Sequence, residues 1–126
     1  MSAHKKVNVD IKSQKDFFKR GKEIARLADK GHEIPHETTI WFENVIDFNK
    51  FISEKKIQLL TQIREEPCSI TELATLVKRN RTAVTRDVNE LEKSGLVLTQ
   101  MVTNRGHGKV RVVKPIAKHL ILQIKI

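Results

Sequence analysis

Apolar and polar positions alternate with a period of two near the start of the chain. Val7, Val9 and Ile11 are interleaved with Asn8, Asp10 and Lys12, which predicts a half-buried strand. Ser13, with Asp16 three residues on, marks a helix start, and Phe17, Ile24, Leu27 and Ala28 share one helical face up to about Lys30, before Gly31. The β-branched and aromatic run Thr38, Thr39, Ile40, Trp41 and Phe42 predicts a second short strand.

From Asn44 the period becomes helical. Asn44 is placed to cap a short helix through Phe51, and Ser53 to cap another in which Ile57, Leu60 and Ile63, with Leu59, recur at helical spacing before Pro67. Ser69 and Glu72 form an S-x-x-E capping box that opens a short helix carrying Leu73, Ala74 and Val77. A basic break, Lys78-Arg79-Asn80, leads into a helix with Val84, Val88 and Leu91 on its core face and Gly95 at its end. Cys68, between Pro67 and Ser69, is expected at a turn as a small buried residue.

After Gly95 the period returns to two. Leu96 to Thr103 and Lys109 to Val113 read as strands joined by Asn104-Arg105-Gly106-His107-Gly108, whose glycines permit a hairpin turn. His119 to Ile126 alternate once more, with Leu120, Leu122, Ile124 and Ile126 on one side, and so apolar a strand needs a partner surface.

A length of 126 residues with 39% apolar and 31% charged positions fits one soluble domain with an appended element. The opening residues, Met1 to Lys15, are too polar for a signal peptide, and no apolar run is long enough to span a membrane, so a cytoplasmic protein without membrane partners is expected. One cysteine excludes an internal disulfide. The net charge of +9 is unevenly placed: residues 1–77 hold 13 Lys and Arg against 12 Asp and Glu, whereas residues 78–126 hold 11 against 3. A field focused in this way suits a polyanion. Every Phe and Trp (Phe17, Phe18, Trp41, Phe42, Phe48, Phe51) lies outside the basic part, which disfavours base stacking on single strands and favours a duplex.

Helix, short helix, basic turn, helix and glycine-rich basic hairpin follow in the order of a winged helix-turn-helix. With Val84, Val88 and Leu91 inward, Arg81, Thr82, Thr85, Arg86 and Asn89 face out, and these types hydrogen-bond base edges and phosphates. Arg79 and Asn80 of the break join them, as does Thr71, because the start of the short helix should meet the DNA backbone. On the wing, Arg105, His107, Lys109 and Arg111 suit a minor groove or flanking phosphates. The fold expected is α+β: a strand-helix-strand extension over 1–43, serving dimerisation or partner docking, and a winged helix-turn-helix over 44–126 that ends in a strand.

The run SITELATLVKRNRTAVTRDVNELEKSGLV, from Ser69 to Val97, resembles the helix-turn-helix of MarR/ArsR-type regulators of bacteria and archaea. S-I-x-E-L-A and R-D-V-x-x-L-E-x-x-G-L-V are its specific parts. The resemblance extends upstream through FEN (Phe42 to Asn44) and EKKIQLLTQIREEP, over about three-quarters of the chain, and is nearest to small regulators that include the TumA-type antitoxins. It implies a homodimeric repressor of its own operon, with a toxin as an alternative partner.

Other signals carry less. His32-Glu33-Ile34-Pro35-His36 matches the zinc-protease H-E-x-x-H, but Gly31 and Pro35 interrupt the helix that metal binding would need, so a chance match in a loop is expected. No enzyme site, metal or cofactor is predicted. Lys15, Lys19, Lys22, Arg26 and Lys30 form a basic stripe whose simplest reading is a solvated face. A winged helix that binds protein rather than DNA is the rival reading.

Overall fold

The computed structural model describes residues 6–11, 36–104, 106 and 108–126. The helix expected over 13–30 with its basic stripe, most of the H-E-x-x-H match, and Arg105 and His107 of the hairpin turn lie outside these residues.

The elements in order are β1 (Lys6–Ile11), β2 (Glu37–Phe42), α1 (Val45–Phe51), α2 (Glu54–Glu65), β3 (Cys68–Ser69), α3 (Ile70–Val77), α4 (Arg81–Lys93), β4 (Val97–Asn104), β5 (Gly108–Pro115) and β6 (His119–Ile124). The described residues thus form an α+β arrangement of four helices and two three-stranded sheets.

Each helix starts where its capping residue predicts. The Asn44 carboxamide accepts from the Asp47 amide at 2.8 Å, and the Ser53 hydroxyl accepts from the Lys56 amide at 3.2 Å. Helix α2 stops at Glu66, which is extended at φ −160° because the following Pro67 disfavours the helical region.

The buried face of α2 corrects the expected one. Leu59 and Ile63 are buried and Leu60 is half-buried, but Ile57 is 43% exposed, and Lys56 takes the inward position at 8% exposure. Its stem lies along the core while its ammonium reaches the Phe51 carbonyl at 3.4 Å and Glu90 at 2.5 Å. A lysine is accepted there because both its apolar stem and its charge find partners.

One sheet has the order β3-β5-β4. Strands β4 and β5 form the antiparallel hairpin, with Gly106 at φ 82° and Gly108 at φ 72° in the turn, a region that favours glycine. Cys68 belongs to this sheet rather than to a turn: it pairs with Val113, its side chain is buried, and its thiol donates to the Glu66 carbonyl at 3.2 Å. The β3 strand has two residues, too few for any alternation to show in the sequence.

The other sheet has the order β1-β2-β6 and is parallel throughout, with Val9 opposite Ile40 and Ile40 opposite Leu122. The partner surface that β6 needs is therefore β2 of the same chain, and the sheet crosses the expected division at 43/44. Ile40 and Phe42 point from this sheet into a single core with Leu59, Ile63, Leu73, Val84, Val88 and Leu91, and Leu120 and Leu122 of β6 pack against it. That core holds α3, α4 and the base of the hairpin in fixed relation.

Candidate nucleic-acid interface

Helix α3 begins with a complete capping box. The Ser69 hydroxyl accepts from the Glu72 amide at 3.1 Å, and the Glu72 carboxylate accepts from the Ser69 amide at 3.3 Å. Thr71 is exposed in the first turn, and its carbonyl accepts from the Thr75 hydroxyl at 3.1 Å.

The helix ends at Lys78, a non-glycine residue in the left-handed region at φ 55°, where the backbone reverses. Lys78 is exposed beside Thr71, Thr75 and Arg81, whereas Arg79, which lines the same depression, is half-buried and holds Asp87 of α4 at 2.7 Å. Arg79 and Asp87 are only 12% and 11% exposed, so this cation is committed to fixing the angle between α3 and α4. Asn80 is also structural, since its side chain accepts from the Thr82 amide at 2.7 Å and caps α4.

On α4 the burial of Val84, Val88 and Leu91 leaves Arg81, Thr82, Arg86 and Asn89 exposed along one shallow depression, as the helical spacing predicts. Thr85 lines the same depression half-buried, and its hydroxyl donates to the Arg81 carbonyl at 2.8 Å. Thr85 therefore presents its oxygen as an acceptor, together with its methyl group.

The hairpin is tied to this helix through Arg111. One Arg111 nitrogen donates to Asn89 Oδ1 at 2.7 Å and the other pairs with Glu92 at 3.0 Å, and the second oxygen of Glu92 accepts from the Thr99 hydroxyl of β4. Arg111 is thus half-buried against the helix, unlike Lys109, which is exposed on the same strand.

Of the twelve sequence-predicted site residues, ten are described. The structure brings together Thr71, Arg81, Thr82, Thr85, Arg86 and Asn89, with Lys109 exposed on the hairpin. Arg79 and Arg111 are half-buried in ion pairs with Asp87 and Glu92, and the exposed Asn80 caps α4 with its side-chain oxygen. Four residues with a part in the site were not singled out as site residues: Lys78, Asp87, Glu92 and Thr99. The break containing Lys78 is basic in sequence, but it is the Asp87 carboxylate that draws Arg79 and leaves Lys78 as the more exposed of the two cations. The partners of Arg79 and Arg111 lie 8 and 19 residues away along the chain, and no spacing rule connects them.

These features define an α+β protein that displays one helix face and one basic hairpin on the same side of a common core. The chain belongs to the HVO_A0114 family, whose model matches residues 51–116. It is similar in fold to the solved structure of a possible transcriptional regulator from Methanosarcina mazei Go1. The TM-score is 0.50 at 18% identity, over 59% of this chain and 64% of that one. The match therefore spans less than two-thirds of that regulator. No curated protein matches the chain.

Proposed function

We propose that the chain is a winged helix-turn-helix regulator of transcription that binds duplex DNA in a sequence-specific way as a homodimer. Helix α4 enters the major groove, the start of α3 and Lys78 meet the phosphate backbone, and the β4-β5 wing with Lys109 grips flanking DNA. The observation that carries this reading is the exposed run Arg81, Thr82, Arg86 and Asn89 on one face of α4, set in the basic part of the chain. An exposed helix face made of groove-reading residue types, with cations on both sides, fits the polyanion that the charge distribution calls for.

The MarR/ArsR-like run from Ser69 to Val97 supports repression as the mode of action. The chain acts in the cytoplasm, without cofactor and without a chemical step. A toxin partner would make the same chain an antitoxin that represses its own operon.

The test is DNA binding by purified protein on random and selected duplexes. Arg81→Ala should cost about 1–3 kcal/mol per copy and relax sequence preference, while Lys109→Ala should weaken all sequences alike and reduce the salt slope by about one unit per copy, about two for the dimer. Unchanged sequence preference in Arg81→Ala would remove α4 from the reading role. Failure to shift any duplex at low salt would favour a protein-binding winged helix instead.

A further inference from the structure

Asparagine on a recognition helix ordinarily reads adenine, because its oxygen accepts from the adenine N6 amino group while its nitrogen donates to N7. In Asn89 that oxygen is already engaged, one of its two lone pairs taken by Arg111. Arg111 has donors only, so the Asn89 oxygen must face it, and the 2.7 Å contact fixes the carboxamide with Oδ1 toward the hairpin. Arg111 is itself held by Glu92 at 3.0 Å, and Glu92 is held by Thr99, so the orientation is set by a chain of bonds between α4 and both strands of the hairpin.

Resting on the DNA-binding reading above, we infer that Arg111 makes Asn89 a donor-only reader, so that the base it contacts is guanine, through N7 and O6, and not adenine. The Nδ2 group has two N–H donors, and guanine is the base that presents two adjacent acceptors in the major groove. Arg111 is a positioning residue here: it selects the base without touching it. The same bonds fix where the wing stands relative to α4.

The experiment is selection of binding sites from a random duplex library by the full chain and three variants. Asn89→Ala identifies the position that Asn89 reads as the one whose preference is lost. At that position the unaltered protein should prefer guanine over adenine by about tenfold, in line with the discrimination a good side-chain to base pairing provides. Arg111→Met keeps an unbranched stem but removes the donors, and it should move that position toward adenine while the preferences set by Arg81 and Arg86 persist. Asn89→Asp keeps the bond to Arg111 but replaces the outward donors by an acceptor, and it should move the position toward cytosine, whose N4 group donates. This variant also decides the matter should Arg111→Met fail to give a cooperative melting transition. Adenine at that position in the unaltered protein, or an Arg111→Met consensus identical to it, overturns the inference and leaves DNA reading by α4 intact. Loss of no preference in Asn89→Ala likewise overturns it. An unaltered protein that selects no sequence at all overturns the DNA-reading proposal itself.

Discussion

Arg79 and Asp87 join the end of α3 to the middle of α4 through an ion pair that is almost closed to solvent. Asp87→Ala leaves the Arg79 charge buried without its carboxylate and should destabilise the fold by about 3 kcal/mol, read from chemical denaturation, whereas Arg79→Ala should cost less because Asp87 keeps the more distant Arg86 at 3.9 Å. The double variant should lose less than the sum of the two, because neither residue is then left without its partner. Cys68 makes a second prediction. Burial, and then the charges of Glu72 and Glu66, push its thiol above the usual range. The thiolate is therefore favoured in the unfolded chain, and this contribution to stability is full below the ordinary thiol value of about 8.5 and is lost as pH rises through the higher folded value. Stability should fall in that alkaline window, and Cys68→Ala should flatten the fall. Burial of Cys68 was legible from its residue type, but the inward turn of Arg79 was not. An arginine beside a lysine in a basic break looks the same in sequence whichever of the two faces out.

At the scale of elements, the helices were legible because each carries its own start signal. The Ser69–Glu72 box is the clearest, and Ser69→Ala should cost about 1 kcal/mol by leaving first-turn amides without a protein acceptor, seen as a lowered denaturation midpoint. Helix α4 was legible for the same local reason, since Val84, Val88 and Leu91 recur within its own span. The sheets were less so. The alternation in β1, β2 and β6 was visible, but their parallel order brings together residues 6–11 and 119–124 on either side of β2, a relation between remote segments that local period does not encode. Helix α2 shows how far a pattern reaches: helical spacing identified the element, yet Lys56 rather than Ile57 occupies the inward position, because Glu90 from another helix meets the lysine charge.

For the whole molecule, the uneven charge becomes a face once the chain is folded. Lys78, Arg81, Arg86 and Lys109 are exposed on α4, at its approach and on the hairpin, whereas Arg79 and Arg111 spend their charge on Asp87 and Glu92. Net charge alone therefore overstates the number of cations available to DNA. If two to four of these exposed cations on each copy meet phosphates, a dimer neutralises four to eight, and the logarithm of affinity should fall against the logarithm of salt with a slope of about −4 to −7. Two recognition helices related by a two-fold axis would contact half-sites about 34 Å apart, so footprinting should show two protected clusters one helical turn apart on a pseudo-palindrome. Binding titrations from 50 to 300 mM salt, run beside sedimentation of the protein-DNA complex, test both together. A slope near half that range with a single protected cluster would mean that one copy binds each site, and the homodimeric part of the proposal would fall. A slope steeper than these exposed cations allow would mean that segments outside the described residues also contact the duplex, and the basic stripe of Lys15, Lys19, Lys22, Arg26 and Lys30 would be the first place to substitute.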